Sequence, residues 1–261
     1  MLTRVHHVGL VVRRLQEGLA FWQDTLGLRV AKQQTVEDQG VKAALLPIGR
    51  SEIELLEPIN SNGGVAKFLE KRGEGLHHVC FETPDVDAEL ATARERRFPL
   101  IDEAPRPGLA GRICFLHPKG TRGVLVEFAT PPPGQAHHSQ AGRFGGLALA
   151  DVLVRSRDEG AAAQLFTTQL GLETARVDAP SGLTAAAVAV GGVRLVFLGA
   201  GTAAGPAATA LRADLETQGE GISGLVLEVA DLPAATQTLG LTDGALAPER
   251  AHGVPLRFRA T

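Results

Sequence analysis

The sequence has few cysteines and none in a pattern that marks a disulfide scaffold. Only Cys80 and Cys114 occur in 261 residues, and each lies in an apolar, strand-like run. Free cysteine behaves as a small hydrophobic residue when it is buried in such a run. We therefore expect both to be core residues of a protein in a reducing compartment, not parts of a disulfide framework.

An excess of positive charge is also absent, as are long apolar runs. The formal net charge is -3, so nothing favours nucleic acid or an anionic membrane surface as a partner. No apolar run is long enough to span a bilayer, and no signal-peptide pattern precedes the first predicted strand. We therefore expect a cytoplasmic protein that acts on a small molecule.

The most informative pattern occurs twice in the first half of the chain. His7 opens an apolar run and is followed 47 residues later by Glu54, inside another apolar run. His78 and Glu127 repeat the arrangement at a spacing of 49 residues. A carboxylate inside a strand needs a partner, because burying it alone is unfavourable. Two histidines and two glutamates at matched places predict a divalent metal site with two nitrogen and two oxygen ligands.

The apolar periodicity of the first half predicts two βαβββ units. Strands are expected around His7 and His78, each followed by a helix and then by three strands of which the last carries Glu54 or Glu127. Strand alternation places the four ligands on one face and apolar neighbours on the other. By the same alternation His6 and His77 are expected on the face opposite the ligands, as structural groups. Glu52 is expected to be solvated at a strand end.

The chain divides near its middle. Residues 131–146 are rich in proline, glycine and polar residues, as linkers are, and they include His137 and His138. These two histidines are expected to be unstructured, with adventitious metal binding their only conceivable role. The predicted organisation is a metal-binding catalytic domain at 1–130, a linker at 131–146 and a second domain at 147–261.

The second half repeats the same plan in a weakened form. Matching its turn glycines to those of the first half places four residues opposite the ligands: Asp151, Val196, Gly224 and Arg257. Of these only Asp151 has a side chain that ligates cations, and Arg257 brings a positive charge. We therefore expect a degenerate, metal-free domain whose last unit is short by one strand. Its expected role is to pack against the first domain, as a second subunit would, so that the chain is an intrachain pseudo-dimer or a homodimer.

Several stretches of the first half carry a resemblance to a known family. They include His6-His7-Val8-Gly9-Leu10, Ile53-Glu54-Leu55-Leu56-Glu57-Pro58, Gly75-Leu76-His77-His78, Phe115-Leu116-His117-Pro118-Lys119 and Gly123-Val124-Leu125-Val126-Glu127. In these, residues 1–130 resemble the methylmalonyl-CoA epimerase family of the vicinal-oxygen-chelate (glyoxalase I) superfamily. Residues 147–261 match only that superfamily's module plan. The resemblance implies an α+β fold of tandem paired βαβββ modules, two domains of two modules each.

The resemblance also implies an activity and roles for residues. It places His7, Glu54, His78 and Glu127 on metal-ligand positions, for one divalent ion such as Co, Zn, Ni or Mn. It implies interconversion of (R)- and (S)-methylmalonyl-CoA, an acyl-CoA substrate, through an enolate. Ala43 stands where some members carry a candidate catalytic glutamate. The ligands Glu54 and Glu127 are therefore the remaining candidates for the catalytic bases.

Two further residues are candidates for substrate binding, and other functions remain open. His117 and Lys119 lie in a predicted turn, where contact with substrate and a plain turn role are both reasonable. A lactoylglutathione lyase of glyoxalase I type also uses two histidines and two glutamates, although the turn at His117 favours the epimerase. A non-catalytic binding or resistance protein on the same fold is the third reading, which intact carboxylate ligands disfavour. An iron-dependent dioxygenase is disfavoured by a fourth protein ligand.

Overall fold

The computed structural model describes residues 1–134 and 142–261. Part of the predicted linker, with His137 and His138, therefore lies outside the described residues. The rest of the chain forms two mixed β-sheets with helices packed on them, one sheet in each half. This confirms the predicted α+β fold of two domains. The boundaries of the linker itself stay a prediction.

The first sheet contains eight strands, which in chain order are β1 (Arg4–Val11), β2 (Lys32–Val36), β3 (Val41–Ile48), β4 (Ser51–Pro58), β5 (Gly75–Glu82), β6 (Arg106–Gly108), β7 (Gly111–Leu116) and β8 (Val126–Thr130). Their spatial order is β2-β3-β4-β1-β5-β8-β7-β6. β1 and β5 are therefore neighbours at the centre and run antiparallel. Each is parallel to the last strand of its own unit, β4 or β8. Leu100 forms an isolated bridge with Leu116.

Three helices belong to the first half: α1 (Leu15–Leu19), α2 (Gly64–Arg72) and α3 (Val86–Glu95). α1 continues as a π-helical turn over Ala20–Thr25. The chain leaves this turn at Gly27, whose φ of 80° is a left-handed conformation that favours glycine. A methyl group at this position would also lie 2.9 Å from the backbone nitrogen of Arg143. Glycine therefore lets the end of the predicted linker approach the first domain.

The second sheet contains seven strands, which are β9 (Leu147–Arg155), β10 (Glu173–Ala175), β11 (Thr184–Val190), β12 (Val193–Gly199), β13 (Gly221–Val229), β14 (Ala245–Leu246) and β15 (Leu256–Ala260). Its helices are α4 (Glu159–Leu170), α5 (Pro206–Thr217) and α6 (Leu232–Leu239). The spatial order β10-β11-β12-β9-β13-β15-β14 repeats that of the first sheet without its last strand. The short final unit is confirmed, because β14 has only two residues and no counterpart of β6 follows the order.

The two halves share one hydrophobic core. The largest cluster of buried side chains joins Trp22 and Phe128 of the first half to Phe166, Phe197 and Phe258 of the second. Burial of such large apolar side chains is the main favourable contribution to folding. A smaller cluster lies under α2 in the first half and another under α5 in the second. The second half is therefore packed on the first as part of one interior.

The contact surface between the halves is called the seam here, and equivalent residues meet across it in both directions. A methyl group at Gly49 would lie 2.9 Å from Cβ of Ala148, and one at the equivalent Gly191 would overlap Arg4, the equivalent of Ala148. Such reciprocity is the signature of a two-fold interface, in which the same patch contacts itself. The seam is thus a pseudo-two-fold interface within one chain.

The glycines at the ends of the seam repeat this relationship. Gly123 lies against Glu220 and Gly221, and its equivalent Gly253 lies against Glu74 and Gly75. Both Gly123 and Gly253 have positive φ, of 80° and 75°. Glycine is required there by the backbone conformation and by the close approach of the other half.

Among the described residues, no helix is long and apolar enough to cross a membrane.

Candidate metal centre

The two central strands of the first sheet each carry a β-bulge beside a histidine. Between β1 and β5, the register shifts once at His6 and once at His77, each of which is the extra residue in its own strand. A bulge interrupts the alternation of side chains and re-aims the residues next to it. Each His-His pair thus lies at an irregularity of the sheet, next to the pseudo-two-fold axis that relates the two units.

The bulges correct one prediction. His6 and His77 were expected on the opposite face from the ligands, but each lies beside its neighbour. The Nδ1 atoms of His6 and His7 are 2.9 Å apart, and those of His77 and His78 are also 2.9 Å apart. In each pair one Nδ1 must carry the hydrogen that the other accepts. If His7 and His78 donate, their Nε2 atoms keep lone pairs for a metal.

The four predicted ligands converge on one point, and together they are called the ligand set. His7 lies on β1, Glu54 on β4, His78 on β5 and Glu127 on β8, all of them buried. The Nε2 atoms of the two histidines are 2.9 Å apart. Oε2 of Glu127 lies 3.1 and 2.9 Å from them, and Oε2 of Glu54 lies 3.4 Å from both. Four separate strands therefore deliver their side chains to one place.

The donor atoms of this ligand set fit a divalent cation. With metal–ligand bonds of about 2.0–2.2 Å, neighbouring ligand atoms in a tetrahedral or octahedral shell are about 3.0–3.5 Å apart. The distances between histidine and carboxylate atoms here fall in or just below that range. The ligand atoms of His7, Glu54 and His78 all lie within 4.8 Å of one another. A second such group, of His6, His7 and Cys80, shares His7 with the first.

The electrostatics of the ligand set also favour a cation. Burial raises the pKa of Glu127, but the charges of the histidines and their hydrogen bonds outweigh burial and lower this pKa to about 2. The same opposing causes lower the pKa of Glu54. For His78, burial lowers the pKa, while hydrogen bonds to Glu127 and Glu54 raise it above the usual value. Both carboxylates are therefore ionised at neutral pH and offer two negative charges.

Glu52 contradicts its expected solvated position. It is 0 % exposed, and the pairing of β4 with β1 places it opposite His7. Neither of its carboxylate oxygens has a hydrogen-bond partner among the described residues. Its Oε2 lies 3.6 Å from Nδ1 of His6. Burial raises the pKa of Glu52 to about 7, although His7 and Arg4 act in the opposite direction.

The ligand set opens into a cavity of about 370 Å³. Glu54, Glu127 and His78 lie at its wall, and most of the remaining lining is apolar. Three polar side chains that the sequence analysis missed, Asp38, Gln39 and Arg106, also line it. They come from a turn and from the short strand β6, so no regular pattern singles them out. Small-molecule sites commonly combine an apolar cavity with a few placed polar groups.

Arg106 is held in place by two contacts. Its Nε donates to Oδ1 of Asp102 at 3.0 Å, and its guanidinium lies 5.6 Å from the ring centre of Phe115. Phe115 in turn meets the ring of His78 edge-on at 5.4 Å between centroids. A guanidinium positioned in this way is suited to a carboxylate of a bound molecule.

The predicted substrate contacts His117 and Lys119 are not among the residues that line this cavity. Nδ1 of His117 accepts a hydrogen bond from the backbone nitrogen of Lys119 at 3.1 Å, at the start of the 3-10 turn Pro118–Gly120. Lys119 instead lines a second cavity at the seam. Ala43 lies buried on β3 in an apolar cluster with Leu56. It therefore places an apolar side chain at the position where some members of the family carry a candidate catalytic glutamate.

The equivalent place in the second half holds an ion pair. Strand register puts Asp151 opposite Arg194, as His7 is opposite Glu52. The carboxylate of Asp151 accepts from Nε and an Nη of Arg194 at 2.6 and 2.9 Å, and from Arg259 at 3.0 Å. Two guanidinium groups therefore lie around Asp151, whereas potential metal ligands lie around the equivalent His7. No group of potential metal ligands was found in the described part of the second half.

Comparison with known proteins agrees with this architecture. A family model of the Glyoxalase/Bleomycin resistance protein/Dioxygenase superfamily matches residues 6–115. The chain belongs to this superfamily. Its paired modules gather histidines and glutamates on four strands, and its epimerase relatives define the same class. Within it, the first half is homologous to methylmalonyl-CoA epimerases.

Three relatives illustrate the extent of the match. Ethylmalonyl-CoA/methylmalonyl-CoA epimerase of Cereibacter sphaeroides is 35% identical over 130 residues, which are 49% of this chain and 97% of that protein. The mitochondrial methylmalonyl-CoA epimerase of Bos taurus is 33% identical, over 48% of this chain and 73% of that protein. A solved methylmalonyl-CoA epimerase in complex with methylmalonyl-CoA and NH4+ is 38% identical, covers 53% of this chain and 100% of that one, and has a TM-score of 0.50.

Proposed function

We propose that the first half of the chain is a metal-dependent epimerase that interconverts (R)- and (S)-methylmalonyl-CoA. The observation that carries the proposal is the coincidence of two features in residues 1–130. These residues are homologous to methylmalonyl-CoA epimerases over nearly the full length of the bacterial relative, and they alone carry the converged ligand set. We further propose that residues 147–261 form a metal-free domain without catalytic residues.

The ligand set would hold one divalent cation, of which Co, Zn, Ni and Mn all suit two histidines and two carboxylates. When bound, the cation would supply Lewis-acid stabilisation of the negative charge that develops on the thioester. The ionised Glu54 and Glu127 neutralise its charge, and the Nδ1 contacts of His6 and His77 orient the imidazoles. The apolar lining of the cavity excludes water, which strengthens these electrostatic interactions.

Epimerisation requires the α-proton to leave carbon 2 from one face and a proton to return to the other. Loss of the proton leaves its electron pair delocalised into the thioester carbonyl as an enolate. Glu54 and Glu127 lie at the cavity wall beside the histidines of the ligand set, and both are ionised at neutral pH, so each can accept that proton. Asp38 also lines the cavity, but it is not part of the ligand set. Ala43 has no group that moves a proton. We therefore assign the two base roles to these glutamates.

Arg106 supplies a further polar contact. Methylmalonyl-CoA carries a free carboxylate on the carbon that loses its proton, and a guanidinium binds such a group through two parallel hydrogen bonds. Held by Asp102 and Phe115, Arg106 would fix the carboxylate while the proton is exchanged. Positioning of this kind reduces the entropy that must be lost on reaching the transition state.

The decisive experiment measures hydrogen exchange at carbon 2 of methylmalonyl-CoA in heavy water. We expect solvent deuterium to enter carbon 2 and a chelator to stop the exchange. His7→Ala/His78→Ala should abolish exchange and bound metal together. His137→Ala/His138→Ala, in the predicted linker, is the matched double-histidine control and should retain both.

Two outcomes would contradict the proposal. Full metal occupancy in His7→Ala/His78→Ala would remove the assigned ligands. Turnover of the hemithioacetal of methylglyoxal and a thiol, without exchange in methylmalonyl-CoA, would replace the epimerase with a lyase of glyoxalase I type.

A further inference from the structure

A second cavity, of about 500 Å³, lies at the seam between the two halves and is called the seam cavity. Its walls come from both halves: the first half contributes the end of α2 and the turn around Pro118, and the second contributes Leu165 and Glu220. Three basic side chains line it, and they are Arg72, Lys119 and Arg122. The proposed reaction at the ligand set uses none of them.

The positive charge of the seam cavity is not neutralised within the described part of the chain. None of its three basic side chains forms an ion pair there; the guanidinium of Arg72 donates only to the backbone oxygen of Gln218 at 3.3 Å. Glu220 is already engaged, since its Oε1 accepts from Oγ of Ser156 and from the nitrogen of Arg157, each at 3.0 Å. The cavity therefore has a net positive charge and free donors.

Arg155 adds to this charge from behind. Its guanidinium is buried and donates to the backbone oxygens of Gly219 at 2.6 Å and Ile222 at 3.3 Å. Burial lowers the pKa of Arg155, and the nearby charge of Arg72 lowers it further. Two like charges held close together favour an anion between or beside them.

The seam cavity and the cavity of the ligand set are lined by the same segments of the first half, although no residue lines both. Two segments line both cavities. α2 lines the cavity of the ligand set with Val65 and the seam cavity with Arg72. The chain from β7 to β8 lines the cavity of the ligand set with Phe115 and Leu125, and the seam cavity with Lys119 and Arg122. Val65 and Arg72 are seven residues apart, which is about 10 Å along a helix, so α2 joins the walls of the two cavities.

The pseudo-two-fold symmetry of the seam supplies a comparison within the same molecule. The turn glycines place Gln218, Glu249 and His252 in the second half at the positions equivalent to the three basic residues. There, His252 lies 3.3 Å from the carboxylate of Glu74. At these equivalent positions, the edge of the seam beside the intact ligand set has two arginines and a lysine, whereas the other edge has a glutamine, a glutamate and a histidine.

We propose that the seam cavity binds the phosphate groups of the CoA portion of the substrate. This inference rests on the proposed function, since CoA thioesters carry their phosphates at the end remote from the reacting acyl group. Arginine and lysine side chains are the usual partners of phosphate. Binding energy from such a remote group can position the reacting carbon. The second half would then have a role in binding, through the wall it contributes.

The test compares two thioesters, methylmalonyl-CoA and methylmalonyl-pantetheine, which lacks the nucleotide and its phosphates. In Arg72→Glu/Arg122→Glu, we expect kcat/KM for the CoA thioester to fall about ten- to hundredfold relative to that for the pantetheine thioester, as expected for loss of contacts to a charged group. Arg94→Glu reverses the same charge on α3 at an exposed residue and should leave this ratio at its original value.

Direct binding of adenosine 3',5'-bisphosphate gives a readout that does not depend on turnover. The unaltered protein should bind it, with an affinity that falls as salt rises, and Arg72→Glu/Arg122→Glu should lose it. Arg72→Gln/Arg122→Gln is the milder variant if charge reversal impairs folding. Equal kcat/KM for both thioesters in the unaltered protein, or bisphosphate binding that survives in the folded variants, would overturn the inference. Absence of exchange with either thioester would instead reject the epimerase, while the binding measurement still decides the seam cavity.

Discussion

Gly9→Ala is the change that tests the metal centre most sharply. Gly9 lies on β1 directly opposite His78 on β5. A methyl group at Gly9 would lie 2.7 Å from Nε2 of His78 and closer still to Cε1 and Nδ1. Ordinary contacts between such atoms are about 3.5–4.0 Å, so the imidazole must move by about 1 Å. The backbone of Gly9 is not in the left-handed region, so alanine is tolerated there by the chain itself.

The displacement is large compared with what a metal ligand tolerates. Metal–ligand distances hold to within about 0.2 Å, so a shift of about 1 Å removes His78 from the shell. We expect metal affinity to fall by about tenfold to a hundredfold. At a metal concentration of 100 times Kd, binding stabilises the folded state by about 2.7 kcal/mol, and a hundredfold loss of affinity would leave about 0.4 kcal/mol.

Two measurements check this expectation. Competition with a chelator gives the metal affinity, and denaturant unfolding with and without metal gives the stabilisation. Gly160→Ala is the matched control, because Gly160 is exposed at the start of α4 and a methyl group there would come no closer than 3.6 Å to Asp158. A folded Gly9→Ala protein that binds metal as tightly as Gly160→Ala would refute the placement of His78 in the shell.

Three further changes test other parts of the structure. Arg257→Glu restores a carboxylate at the position equivalent to Glu127 and should leave turnover unchanged, since Arg257 is exposed in the half without ligands; a large loss in a folded protein would reveal a second site. Gly253→Ala should lower the free energy of unfolding by about 2 kcal/mol or more, because a methyl group at φ of 75° would overlap the backbone of Glu74; unchanged stability in denaturant would contradict the packing of the seam. Glu52→Gln should stabilise the metal-free protein by up to about 3 kcal/mol at pH 8 but by less than about 1 kcal/mol at pH 5. The reason is that folding raises the pKa of Glu52 from 4.5 to about 7, so its carboxyl group increasingly destabilises the folded protein as the pH rises through that interval. A difference in the free energy of unfolding between the variant and the unaltered protein that does not depend on pH would exclude ionisation of Glu52 as its source.

The fold was predictable because its signals are local. Strands were predicted around His7 and His78 from their apolar runs, and they are observed as β1 and β5. The turn glycines Gly75 and Gly221 mark equivalent positions in the two halves, and both have φ near 150°. Patterns of this kind depend on residues close in sequence, so they can be recognised without knowledge of the tertiary contacts.

The parts that escaped prediction depend on pairing between distant segments. The bulges at His6 and His77 are properties of two strands together, and neither strand shows them alone. Glu52 lies beside His7 through the pairing of β4 with β1, which no property of β4 alone reveals. The environment of Lys119 is decided by how the second half docks on the first. Arg106 lies on a three-residue strand, too short for periodicity to single it out.

The reciprocal glycine contacts have a consequence for how this molecule can change. In a dimer of identical chains, every substitution at a two-fold interface enters twice, and both copies must tolerate it. Here the two sides are encoded separately, so Gly49 and Gly191 can be altered one at a time. The same freedom applies to the pair Gly9–His78, whose counterpart is Leu153–Gly224, with a leucine side chain in place of glycine and glycine in place of the histidine. Because the two halves are joined in one chain, each can be substituted without the same change in the other. One half can therefore lose catalytic residues while the other retains them.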